Sequence, residues 1–186
     1  GWLLRPVPFF KYKKMIRSLS VHTAATTPVF TTDQMKAFLK VDTTADDTLI
    51  DNLVQAATES CQVYTNRYFI DTVVIQYSDK WEALSSLYKS PVDSVSHVKY
   101  YDSDDTLQTW ASSNYIVDSS YEPARITLAV DKSFPSLSDR ANAIEVKYTV
   151  GYGTASTDVP EGIRTAIALT CGNWYANRQS VITGRT

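Results

Sequence analysis

Ile144–Arg178, IEVKYTVGYGTASTDVPEGIRTAIALTCGNWYANR, decides how the rest of this chain is read. Ile144, Val146 and Tyr148 alternate with Glu145 and Lys147, the period-two signature of a strand with one buried face. Gly151-Tyr152-Gly153 follows. Glycines just after a strand supply backbone with positive φ at a corner. Pro160 and Glu161 then suit the first turn of a helix, with Asp158 as the N-cap. Ile163, Ile167, Thr170, Cys171 and Trp174 recur at steps of three and four and form its buried stripe. Gly172 inside that helix costs about 1 kcal/mol relative to Ala and leaves room for a close neighbour. A strand is therefore handed to a helix through a tight corner.

Working back from that segment, the same two periods divide the chain. Thr31 and Gln34 fit a capping box, and Met35, Phe38 and Leu39 give a short helical face. A second helix opens near Thr44–Asp47 and closes around Asn66-Arg67. Its stripe is Ile50, Leu53, Val54, Ala57, Cys61 and Tyr64. Between about residues 71 and 150 the period becomes two. Six short strands are predicted: Thr72–Tyr77, Val95–Tyr101, Leu107–Trp110, Tyr115–Val117, Arg125–Leu128 and Ile144–Tyr148. Helical stripes of this kind need each other to be covered. The expected class is α+β. A small helical bundle packs the N-terminal and C-terminal helices together and carries an antiparallel β insertion, with extended termini. The divisions are 1–30, a basic N-terminal arm; 31–70 and 158–178, the bundle; 71–150, the insertion; and 179–186, a flexible or partner-bound tail.

Composition narrows function more than it names one. The 186 residues hold 18 Lys and Arg against 20 Asp and Glu, a net charge of −2 that does not mark a dedicated nucleic-acid binder. The distribution matters more. Residues 1–31 carry Arg5, Lys11, Lys13, Lys14 and Arg17 with no acid, which leaves the remainder at −7. That asymmetry suits an arm that docks on an acidic partner or on phosphate, with a short amphipathic turn near Lys11–Leu19. The opening residues do not match a signal-peptide pattern, and no stretch reaches the roughly 18 apolar residues of a membrane span. The chain is read as soluble and made in the cytoplasm.

Constellations for chemistry are few. Cys61 and Cys171 fall on helical stripes and read as reduced core thiols, with no metal-ligand spacing. Asp102-Ser103-Asp104-Asp105 lacks the Gly and Glu that a calcium loop requires and reads as a hairpin turn. His97 lies mid-strand, pointing away from the face of Val98, without ligand partners; His22 lies in the arm. Gly151–Gly153 lacks the lysine of a phosphate loop, and there is no Gly-x-Ser-x-Gly elbow. No enzyme activity, cofactor or metal is expected. Twelve tyrosines and four tryptophans supply core mass, and such residues also dominate interface hot spots. Tyr175 and Arg178 share a face beside the Trp174 stripe, suited to another subunit or to the β region.

From Thr31 to Arg178 the chain resembles the head–tail connector, or adaptor, family of tailed bacteriophages and gene-transfer particles. The resemblance rests on ordered pieces: Thr32–Asp42, Asp46–Ile50, Tyr64-Thr65-Asn66-Arg67, Ser90–Val95, Tyr100-Tyr101-Asp102, Tyr148–Gly153, Val159–Arg164 and Trp174–Arg178. It implies a non-enzymatic virion protein at the head–tail interface. It further implies a ring, twelve-fold in the family, below the portal protein, which meets a neck, head-closure or tail protein. Genomic DNA would pass through its channel without sequence readout, and no membrane is involved. Terminal segments of such adaptors insert into the portal, a role open to the tail after Arg178. The residues assigned to partner contact are Lys11, Lys13, Lys14 and Arg17 in the arm, with Tyr175, Arg178 and Arg185 near the other end. The alternative is a DNA-packaging accessory that binds nucleic acid through the arm. A third reading, a cell-wall or DNA hydrolase, finds no carboxylate pair or metal cluster in the sequence.

Overall fold

The computed structural model describes residues 17–177. The order is β1 (Arg17–Thr23), α1 (Thr32–Leu39), α2 (Asp47–Thr65), β2 (Thr72–Ser78), β3 (Val92–Tyr101), β4 (Leu107–Trp110), β5 (Tyr115–Asp118), β6 (Arg125–Leu128), β7 (Ile144–Val150) and α3 (Glu161–Ala176). The class is α+β with antiparallel sheets, as expected, and all six expected strands are present. One strand was not. Residues 17–23, inside the segment read as an arm, form β1 and pair antiparallel with β2 from Arg17↔Ser78 to Thr23↔Val73. Leu19 and Val21 alternate with Ser18 and Ser20, a period-two pattern hidden by the basic residues before it.

The five-stranded sheet runs β1-β2-β7-β3-β4, and β5-β6 form a separate hairpin. In β2 and β7 every second residue is buried. Val74, Val146, Tyr148 and Val150 thereby join Trp81, Trp110, Tyr115 and Ile126 in one apolar cluster. Trp81 stacks on Phe134 at 5.2 Å, lies 4.8 Å from Trp110, and donates its ring N–H to the Pro135 carbonyl at 2.9 Å. Much of the aromatic content is thus core mass. Gln76, buried along with the smaller polar residues Thr72, Ser78 and Ser90, accepts from Tyr88 N at 2.8 Å and from Tyr148 Oη at 3.1 Å.

The helices enclose a second cluster of Val29, Met35, Ile50, Val54, Ala57, Phe69, Ile167 and Cys171, among others. The Thr31–Gln34 capping box starts α1 as read. α2 ends where Asn66 turns left-handed at φ 56° and its N–H reaches back to the carbonyls of Gln62 and Val63. Two helix-level expectations are corrected. Asp158 does not cap α3: Pro160 occupies the N-cap, and the Asp158 carboxylate accepts from Ala155 N at 2.9 Å in the preceding 3-10 turn. Tyr64 is not part of the buried stripe; it is 92% exposed in the last turn of α2, where nothing lies opposite it.

The two cores meet at a joint built from motif residues. Arg67, just past α2, donates to Tyr152 Oη at 2.8 Å and forms an ion pair with Glu122. Burial disfavours its charge, but Glu122 and Tyr152 outweigh that and raise its pKa. Asn66 Nδ2 donates to the Tyr88 carbonyl, and the corner at 151–153 hydrogen-bonds to Phe69, Asp71 and Pro91. Gly151 and Gly153 have φ of 152° and 148°; a Cβ on Gly151 would lie 2.6 Å from Asp71 N. The glycine corner is therefore obligatory for the turn from β7 towards α3.

Candidate assembly surfaces

Outward faces distinguish the two long helices. α2 exposes Asp51, Asn52, Gln55, Ala56, Glu59 and Ser60, a polar and acidic strip. Beyond its exposed first residue, Glu161, α3 exposes Gly162, Thr165, Ala166, Leu169, Asn173 and Ala176, none of them ionisable. The only charges on α3, Glu161 and Arg164, pair with each other at 3.0 Å in its first turn. Leu169 is 60% exposed. On one side of this face stands Phe38 of α1, 48% exposed; a Cβ on Gly172 would sit 3.5 Å from its Cε1. On the other side Cys61 of α2 shares a hydrogen bond with Thr170, and about one turn on comes Tyr64, 92% exposed; Val63 lies on the outward side of α2, one turn past Glu59. Phe38 of α1 and Tyr64 of α2 therefore border the strip that Leu169 occupies.

A groove of about 650 Å³ lies on the opposite side of α2, between that helix and the connection from β1 to α1. Buried Val29, Val54 and Ile70 line its depth, and exposed Asp51, Gln55 and Glu59 line its rim. Asp51 accepts from Thr32 Oγ1, and Gln55 Nε2 donates to Glu59 at 3.5 Å. Among the described residues neither carboxylate has an ion-pair partner.

The residues assigned to partner contact distribute unevenly over these surfaces. Lys11, Lys13, Lys14, Arg178 and Arg185 lie outside the described residues. Arg17 opens β1, its backbone paired with Ser78. Tyr175 donates its hydroxyl to Asp46 Oδ2 at 2.6 Å, tying the end of α3 to the start of α2. At the Tyr175 hydroxyl this face meets a helix end. Sequence reading missed Phe38, Val63, Tyr64 and Leu169 as surface groups. The usable signal was the absence of charge from residues 165 to 177.

Features tested for chemistry resolve structurally. Cys61 and Cys171 are free thiols packed in the helical core, and burial raises the pKa of both, which keeps them protonated. Asp102 closes the β3–β4 hairpin: it accepts from Thr106 N at 3.0 Å, Gln108 Nε2 at 2.8 Å and Asp104 N at 3.0 Å, which lowers its pKa. His97 lies 3.0 Å from Glu145 on the sheet face away from Val98. Among the described residues no group of three or more His, Cys, Asp or Glu converges to hold a metal, and no helix is long and apolar enough to cross a membrane.

Solved structures share the fold. A chain from the neck of an empty gene transfer agent particle, computed with C6 symmetry, superposes with a TM-score of 0.74 at 17% identity over 91% of this chain and 89% of that one. A chain from the virion of a native gene transfer agent particle gives 0.74 at 17% identity, over 90% and 88%. A chain from the neck of a native particle, computed with C12 symmetry, gives 0.71 at 16%, over 90% and 88%. No curated protein sequence matches the chain. The family model described as "Head completion protein" matches residues 28–186, which takes in both cores, the joint and the two long helices. The chain belongs to the head completion protein family, in line with the connector resemblance of its motifs.

Proposed function

We propose that this protein is one wedge of a ring in the neck of a tailed particle, below the portal, joining capsid to tail and continuing the DNA channel. Family membership supports the neck role. The fold likeness to chains from necks computed with C6 and C12 symmetry supports a ring, and twelve is the subunit number favoured. Within this molecule the observation that carries the reading is the outward face of α3. A helix whose exposed side carries no charge beyond Glu161 at its start, presenting Leu169 and bordered by Phe38 and Tyr64, is suited to burial in an assembly.

Copies in a closed ring meet head to tail through two unlike surfaces, so the α3 face needs no self-complementary patch. The helical core forms the base of each wedge and the β region stands on it. Residues 17–177 hold twelve Lys and Arg against twenty Asp and Glu, a net −8 that leaves passing DNA unheld. The cationic groups Lys11, Lys13, Lys14, Arg178 and Arg185 reach for protein neighbours at the two ends of the chain. Cryo-electron microscopy of neck-containing particles tests this directly. A closed ring of this chain beneath the portal is the expected outcome; a single copy, or a neck without the chain, overturns it.

A further inference from the structure

We propose that the acid-rimmed groove beside α2 seats the basic, aromatic segment 1–16 of a second copy of this chain; the proposal rests on the ring reading. Residues 1–16 read GWLLRPVPFFKYKKMI: four cations, no acid, and a run of Trp, Leu, Phe, Tyr, Met and Ile side chains. The groove offers the complement. Its depth is apolar at Val29, Val54 and Ile70, and its rim carries Asp51 and Glu59. β1, beside it, is an edge strand paired only to β2 among the described residues. Its outer N–H and C=O groups can therefore take an extended segment by strand addition. Val21 of β1 lines the groove yet is 48% exposed, an apolar side chain half covered. The family model begins at Pro28, so segment and strand are features of this chain beyond it.

Geometry favours exchange between copies. The groove adjoins the Thr23 end of β1, while Arg17 pairs with Ser78 at the other end. Six strand steps of about 3.4 Å put the start of the segment roughly 20 Å from its own groove. Folding back would spend about six residues retracing the strand. Sixteen extended residues span up to about 55 Å, enough to cross to a neighbour.

The test uses full-length protein in a Cys61→Ser background. One isotope-labelled variant carries Lys11→Cys or Lys14→Cys, and an unlabelled one carries Glu59→Cys. They are mixed and treated with a short bismaleimide, while native mass spectrometry and electron microscopy follow ring formation. The expected result is a product joining unlike chains. Its yield falls at least tenfold with Asp51→Lys, less with Asp51→Asn, and declines with added salt. Each variant is melted to show that it folds. Rings without the unlike-chain product overturn the groove proposal alone; absence of both overturns the ring reading as well. A third variant carries both Lys14→Cys and Glu59→Cys, and a cross-link that forms only within its single chains overturns exchange. Protection of the arm cysteines by duplex DNA, in place of the cross-link, overturns it in favour of phosphate contact.

Discussion

α2 and α3 share a core and part company on their outer faces. Inward, both follow the same rule: Ile50, Val54 and Ala57 on one, Ile167, Ala168 and Cys171 on the other, all buried. Outward, α2 is dressed for water and for a cationic partner up to its last turn, with Asp51, Gln55 and Glu59 at its groove and Val63 and Tyr64 exposed only near its end. α3 is dressed for neither. A solvated helix gains solubility from outward charge at little cost to stability, so a helix that omits it is shaped by something else. Fold stability thus lives in the inward stripes, and assembly lives in the difference between the outward ones.

The largest effect comes from breaking what the two helices share. Ile167→Ala removes a fully buried side chain facing α2 and should cost about 2–5 kcal/mol in urea unfolding. A loss below about 0.5 kcal/mol would show that the seam between the helices does not hold the core. Leu169→Asp then tests the difference. Two residues along the same helix and 60% exposed, it should melt like the parent within about 0.5 kcal/mol. Ring assembly should nevertheless weaken by about 2–3 kcal/mol, roughly 30- to 150-fold, since it places a charge in a desolvated contact. Asn52→Asp on the outward side of α2 should alter neither quantity. Sedimentation and thermal melts read both; equal assembly defects from the two aspartates would erase the contrast.

Gly172→Ala sharpens the same comparison with the opposite sign. The sequence suggested that Gly172 admits a close backbone. The nearest atoms to a Cβ there are side-chain ones, Phe38 Cε1 at 3.5 Å and Leu39 Cδ2 at 3.6 Å, which is ordinary contact. Alanine should therefore recover up to about 1 kcal/mol of helix propensity and raise the melting temperature by a few degrees. A destabilised variant would mean that α1 sits tighter on α3 than these distances allow.

How far the sequence was readable follows from which forces are local. The capping box at Thr31 and Gln34, the left-handed Asn66 and Gly153, which Asp158 crowds, are governed by groups a few residues away; Gly151 was legible as a corner glycine, although the atoms that crowd it belong to distant Asp71. The strands from β2 to β7 were legible because their alternation is local too. β1 was not, because its alternating side chains, Leu19 and Val21 against Ser18 and Ser20, directly follow a basic run. Tyr64 continues the α2 stripe at the correct period; periodicity reports which way a side chain points, not whether anything covers it. The assembly surfaces were least legible. Five of the seven assigned partner residues lie outside residues 17–177, and Tyr175 spends its hydroxyl on Asp46. The α3 face is defined by charges that are missing, which motif reading does not register.

The smallest effects are electrostatic, and they separate carboxylates by where they sit. At the joint, burial raises the pKa of Asp71, assisted by Asp93 and Asp158 and opposed by the Gly153 N–H. Its folded value lies above the unfolded 3.8, so the native state holds the proton more tightly, and stability falls as pH rises through that window and stays lowered at neutrality. Asp71→Asn keeps an acceptor for Gly153 and loses the penalty; it should melt higher than the parent at pH 7, with the gap closing on acidification. Asp102 has the reverse sign. The Thr106 N–H and the Gln108 amide hold its pKa below 3.8, so its contribution is present above 3.8 and is lost as pH falls through the folded value. Asp102→Asn should melt lower at pH 7 and converge with the parent in acid. Melts from pH 7 down to pH 3 distinguish the two, and curves that shift in the same direction would show that burial at the joint is not what moves Asp71.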